Sequence, residues 1–134
     1  MSKIVQLSEA VSIAIHGMVL IAKADGNINV NKIAEETGSS KNHLAKVMQR
    51  LVKQGLLTSN RGPSGGFSLK KPASKITLLE IYECIEGRIE SEECPQNKQI
   101  CHFSKCLMGG IIKRVTDEFV EHFKSHTIQD FIKG

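Results

Sequence analysis

The sequence predicts a mainly α protein with a small β-hairpin: a winged helix-turn-helix followed by a long C-terminal dimerisation helix. Three observations carry this expectation. Two short helical patterns, over residues 30–37 and 41–54, are joined by the tight turn Gly38-Ser39-Ser40. Two β-compatible segments, 56–59 and 67–69, follow directly and enclose the turn-rich run Asn60-Arg61-Gly62-Pro63-Ser64-Gly65-Gly66. Beyond them, three of the four cysteines, Cys94, Cys101 and Cys106, are spaced C-x6-C-x4-C between two further helical patterns.

At 134 residues the chain is one domain, or one domain carrying an extra helix. Apolar residues make up 40% and aromatics only 4%, with no Trp, so Leu, Ile, Val and Met must build the core. The first helix is expected over about residues 8–24, where Val11, Ile15, Met18, Val19 and Ala22 recur on one face and Ile13 and Ile21 widen it. Asp25-Gly26-Asn27 then turns the chain. The second helix points Val30, Ile33 and Ala34 inward and stops at Gly38. The third has Leu44, Val47, Met48, Leu51 and Val52 on its apolar face and ends at Gly55. Thr77 caps a fourth helix with Leu78, Ile81, Tyr82 and Ile85 inward and Glu80, Glu83 and Glu86 towards water. Cys84 on this helix reads as a small core hydrophobe. After Cys106, the residues Met108, Ile111, Ile112, Val115, Phe119 and Phe123 mark a long amphipathic helix. A helix of about 16 residues, ~25 Å long, lacks partner surface in so small a domain, and the same helix of a second chain would supply it. A last segment from Thr127 is expected to turn Ile128 and Phe131 inward.

Charge is divided along the chain. Residues 1–75 carry eleven Lys and Arg against four Asp and Glu, whereas 76–134 carry seven against ten. A basic first half suits a polyanion, although charged residues decorating exposed helices give the same balance. The outer face of the third helix carries Lys41, Asn42, Lys46, Gln49, Arg50 and Lys53 and no acid. Arg61, at the base of the Gly/Pro/Ser tip and flanked by Lys70 and Lys71, is suited to phosphates or a minor groove. No run resembles a transmembrane span or a signal peptide, and a reducing cytoplasm is the expected compartment. There is no Gly-rich phosphate loop of the Walker or dinucleotide type, and an enzyme is not expected.

Three neighbouring thiols in such a chain point to a metal or cluster more than to a disulfide framework. Zinc favours knuckles with two to four intervening residues, which C-x6-C-x4-C fits poorly. A metal-free thiol switch is the other alternative, since Lys98 and Lys105 lie beside the cysteines.

The chain resembles the IscR/NsrR family of dimeric iron–sulfur winged-helix transcription regulators. The resemblance runs over nearly the whole length: Ile33-Ala-Glu-Glu, Ser40-Lys-Asn-His-Leu-Ala-Lys-Val47, Gly55-Leu-Leu, Arg61-Gly-Pro-Ser-Gly-Gly66, Ile76-Thr-Leu-Leu-Glu-Ile81, the cysteine loop and Thr127-Ile-Gln-Asp-Phe131. It implies a homodimeric repressor that reads a palindromic double-stranded DNA operator and senses redox state, nitric oxide or cluster supply. Residues 1–75 would be the winged DNA-binding unit, 76–106 a helix and cluster-binding loop, and 107–134 the dimerisation helix and C-terminal segment. The DNA-binding set carried over is Ser40, Lys41, Asn42, His43, Lys46 and Arg50 on the helix and Arg61, Ser64 and Gly65 in the wing. Cys94, Cys101 and Cys106 would hold an iron–sulfur cluster, left open between two-iron and four-iron forms. Relatives complete the ligand set with a His shortly after the third cysteine or an acid on the first helix. Here Gly109 stands at the former position and Ser12 aligns with the latter. Candidate fourth ligands are Glu9, Ser12 and His102, with His16 and Cys84 further candidates. Ala45 stands where some relatives have an acid, so their operator sequence does not transfer. A small redox protein that uses the winged helix for protein contacts is a less favoured alternative.

Overall fold

The structure is a computed structural model that describes residues 7–24, 27–62, 65–89, 104, 107 and 109–132. Its central element is α1 (Glu9–Lys23), whose apolar residues occupy most of its circumference. Val11, Ala14, Met18 and Ile21 are buried to 1% exposure or less, so α1 has neighbours on several sides. Those neighbours are α2 (Val30–Thr37), α3 (Lys41–Lys53), α4 (Leu78–Glu86) and the short α6 (Gln129–Ile132), with the hairpin at one end. The core continues through Ile33, Leu44, Met48, Leu51, Leu57, Ile76, Ile81 and Ile128, all at 1% or less, and among the described residues it contains no polar side chain.

The helix boundaries follow from local chemistry. The side chains of Ser8, Asn29, Ser40 and Thr77 accept from backbone N–H groups of the first turns of α1, α2, α3 and α4. Gly38 ends α2 at φ 69°, a left-handed conformation that a β-carbon disfavours. At α4 the Thr77 cap is reciprocated by Glu80, which accepts from the Thr77 N–H, a capping box.

The hairpin pairs β1 (Leu57–Asn60) with β2 (Gly66–Leu69) in antiparallel register, Leu57 opposite Leu69 and Asn60 opposite Gly66. β1 is shifted one residue towards the C-terminus from the expected 56–59, and β2 begins one residue earlier than the expected 67–69. Ile28, which lies outside every predicted element, forms a third rung: its N–H donates to the Phe67 carbonyl (3.1 Å) and its carbonyl accepts from the Phe67 N–H (2.8 Å). A single-residue bridge has no periodicity by which a sequence could announce it. The β-carbon position of Gly66 falls directly against the Ile28 carbonyl, so only glycine permits this approach.

The long helix is present as α5 (Ile111–Ser125), with no buried residue. Its C-terminal half packs on α4: Phe119 meets Tyr82 edge-on at 5.2 Å between centroids and stacks on Phe123 at 4.1 Å. The chain then returns to the core. The Leu78 N–H donates to the His126 carbonyl and the Ile128 N–H to that of Ile76, each at 3.0 Å, which seats Ile128 in the interior. Phe131 departs from expectation: it remains 38% exposed and lines an open groove beside Ile15 and Val19 of α1 rather than entering the core.

Candidate nucleic-acid interface

The interface is built where α3 leaves its cap. The Ser40 side chain accepts from the His43 N–H at 3.1 Å, so its oxygen serves the helix start and its O–H remains a donor. Behind it, the Thr37 hydroxyl bonds the Ser39 hydroxyl at 2.9 Å and the Ile33 carbonyl at 2.8 Å, fixing the turn between α2 and α3. Leu44, Val47, Met48 and Leu51 anchor one side of α3 in the core. That orientation leaves Lys41, Asn42, Lys46, Gln49, Arg50 and Lys53 exposed on the other. Lys41, Asn42 and Lys46 lie in the first half of the helix, the end that enters a major groove in helix-turn-helix proteins.

Two of the predicted contacts also reach neighbouring helices. The His43 ring lies 4.0 Å from the Glu9 carboxylate and is 39% exposed, so it is positioned between α1 and the open surface. Arg50, in the last turn of α3, donates through Nη2 to the Cys84 carbonyl on α4 at 3.4 Å. The side chain nevertheless remains exposed on the outer face.

In the wing, Arg61 is exposed directly after β1. The Gly65 N–H donates to the Gly62 carbonyl at 2.9 Å, and a β-carbon at Gly65 would sit 2.5 Å from the Asn60 carbonyl oxygen. Gly65 is thus required by the turn itself. Ser64 lies outside the described residues. Lys71, expected beside Arg61 as a flanking cation, instead pairs with Glu80 at 2.8 Å and braces α4. Glu80 is correspondingly half-buried rather than free in water, and Glu83 accepts from the Ile89 N–H at 2.9 Å.

Cys94, Cys101, Cys106 and His102 lie outside the described residues. The segment that carries them leaves from the end of α4 and returns at α5. Ser8, beside Glu9, donates to Glu86 in the last turn of α4, so the start of α1 adjoins the departure point of that segment. Ser12 and His16 lie further along α1, where the His16 Nδ1 contacts the Ser12 carbonyl at 2.7 Å. Cys84 is half-buried against α3 and its thiol donates to the Arg50 carbonyl at 3.6 Å. Burial pushes this thiol above its ordinary pKa, with Arg50 opposing, so it packs as the core-type residue expected and is a poor source of thiolate.

A groove of about 640 Å³ runs between α1, α2 and α6, lined by Ile15, Val19, Leu20 and Phe131 among others. On α5, Ile111, Ile112 and Val115 are 40–43% exposed, and Leu107 just before it is 73% exposed. Among the described residues these are the large apolar side chains left most open to solvent, together with Phe131. Among the described residues no helix is long and apolar enough to cross a membrane.

A helix-turn-helix bearing a basic outer face, with a hairpin wing at its side, defines a winged-helix DNA-binding protein. Residues 7–134 match the model of the Rrf2 family, described as iron-dependent transcriptional regulators. The chain belongs to the Rrf2 family and is a DNA-binding transcription regulator, not an enzyme. Among its relatives, Protein aau3 of Rhizobium meliloti (strain 1021) is 30% identical over 121 residues, covering 87% of this chain and 79% of that protein. The HTH-type transcriptional regulator IscR of Photorhabdus laumondii is 27% identical over 117 residues, covering 87% and 71%. CymR, the global cysteine regulator of B. subtilis, superimposes with a TM-score of 0.79 at 23% identity, over 96% of this chain and 97% of that one.

Proposed function

We propose that this regulator binds a palindromic operator as a homodimer and senses its signal through an iron–sulfur cluster held by Cys94, Cys101 and Cys106. The observation that carries the DNA part is the acid-free exposed face of α3 beside the Arg61 wing. Lys41, Asn42 and Lys46 would meet base edges and phosphates of a major groove while Arg61 follows the adjacent minor groove. Ser40 adds a hydroxyl donor at the helix start, His43 a ring at its border and Ser64 a polar group at the wing tip. In a twofold dimer two such units reach half-sites about one helical turn, ~34 Å, apart.

The exposed apolar side chains of Leu107, Ile111, Ile112 and Val115 and the apolar groove along α1 supply two surfaces that a second copy would cover reciprocally. In this division, residues 1–75 read DNA, 76–106 carry the sensor and 107–134 join the protomers. Such a protein acts in the cytoplasm, where its operator is.

The donor set suits a cluster, since three thiolates are the preferred ligands of iron–sulfur centres and the family is described as iron-dependent. Glu9, Ser12 and His102 are the candidate fourth ligands; in support of Glu9, the start of α1 adjoins the end of α4 through Ser8 and Glu86. The chemistry such a centre supplies is reaction with oxidants or nitric oxide. The contribution of the chain is the position of its three cysteines, between the helix packed on α3 and the helix offered to the partner, so that ligation there fixes one relative to the other.

Anaerobic purification followed by an absorption spectrum and iron and sulfide analysis tests the proposal. Visible charge-transfer bands that vanish in Cys94→Ser, Cys101→Ser and Cys106→Ser are expected. A colourless protein with stoichiometric zinc, or with no metal, contradicts the cluster and leaves a zinc or thiol regulator on the same DNA surface.

A further inference from the structure

Asn60 is the last residue of β1 and stands immediately before Arg61. Its side-chain Nδ2 donates to Oδ1 of Asn27 at 2.9 Å, across 33 positions of chain. Asn27 lies in the turn between α1 and α2 and precedes Ile28, the residue that exchanges backbone hydrogen bonds with Phe67 of β2. The wing is therefore held at both edges. On the β2 side the fastening is the Ile28–Phe67 backbone pair, made possible by Gly66. On the β1 side, where Arg61 leaves the strand, it is the Asn27–Asn60 side-chain pair.

Both asparagines are exposed, so neither contributes to the core, and water would satisfy either amide if the pair opened. A pair of this kind adds little to global stability. Its consequence is geometric. The turn that carries Asn27 runs into Asn29, the N-cap of α2, and from there through the helix-turn-helix to α3. Fastening Asn60 to that turn fixes the direction in which Arg61 leaves the body relative to the outer face of α3.

We propose that Asn27 and Asn60 are positioning residues for Arg61. They set the angle between wing and recognition helix, so that the guanidinium meets DNA while α3 is seated. The inference rests on the reading of Arg61 as the wing contact proposed above.

A double-mutant cycle tests it, using the genomic fragment that the wild-type protein enriches most strongly and fluorescence anisotropy as readout. Asn60→Ala and Asn27→Ala are each expected to weaken binding roughly three- to tenfold, the lower part of the range for coupled neighbours, with unchanged thermal midpoints. In an Arg61→Ala background neither should weaken it further, because the group they position is gone. Losses that add to that of Arg61→Ala would mean that the asparagines touch DNA themselves and would overturn the proposal. So would an Asn27→Ala protein that binds like wild type. If Arg61→Ala alone leaves binding unchanged, the wing reading fails first and the positioning role falls with it.

Discussion

Gly66 and Ile28 illustrate how much of this fold is decided by single side chains. With the Ile28 carbonyl directly over its Cα, Gly66 cannot accept a methyl group without separating the Ile28–Phe67 rung. Gly66→Ala should therefore destabilise the protein by on the order of 2 kcal/mol, read as a lowered midpoint in urea with little change in slope. Gly38→Ala is a useful contrast, since it meets open space and bears only the left-handed backbone penalty. Cys84 offers a second test at this scale. Its thiol pKa is raised by burial, with Arg50 opposing, so at any pH near 8 less of it is thiolate than of an unhindered cysteine. Alkylation mapped by mass spectrometry should proceed more slowly at Cys84 than at a free thiol, and its increase with pH should come later. Equal rates across that range would show that Cys84 is not buried against α3 in solution.

Among the elements, α1, α3 and α4 were legible because each combines a 3.6-residue apolar stripe with a side-chain cap, two independent signals that agree at Ser8, Ser40 and Thr77. By contrast, α2 showed its stripe and its Gly38 stop but not its Asn29 cap. What escaped the sequence is long-range or non-periodic. Ile28 enters the hairpin through one rung, Lys71 finds Glu80 nine positions away, and Asn60 finds Asn27 on another element. Phe131 shows the opposite limit, a residue whose hydrophobicity predicts an interior position but which lines an open groove instead. The helix α5 was foreseen as one apolar face but divides into two. Phe119 and Phe123 lie on Tyr82, while Ile111, Ile112 and Val115 remain exposed. Substituting the exposed part should separate assembly from folding. Ile111→Glu combined with Val115→Glu is expected to yield monomers in analytical ultracentrifugation with near-native helicity. A dimer of undiminished affinity would remove α5 from the interface.

For the molecule as a whole, basic charge is concentrated in the half that carries the proposed DNA surface. The half of the chain that contains α3 and the wing carries eleven basic residues against four acidic, whereas the half with the cysteines and α5 carries seven against ten. Binding should weaken steeply with salt, and Lys46→Ala should reduce the slope of log K against log[salt] by about 1, as expected for loss of one phosphate contact. The same substitution should lower affinity evenly across related sequences, since a phosphate contact carries no base information. The DNA-binding architecture was readable in the sequence because periodicity and turn chemistry encode it. The proposed sensor is legible only as three thiols and their spacing, because ligand geometry depends on how separate elements come together in space. The measurement that tests the account most directly is selection of fragmented genomic DNA by the anaerobically isolated protein, followed by sequencing of the bound pool. An enriched inverted repeat, with half-sites about one helical turn apart and lost with Lys46→Ala plus Arg61→Ala, is the predicted result. A pool with no enriched repeat, from both the anaerobic protein and its metal-stripped form, would contradict it.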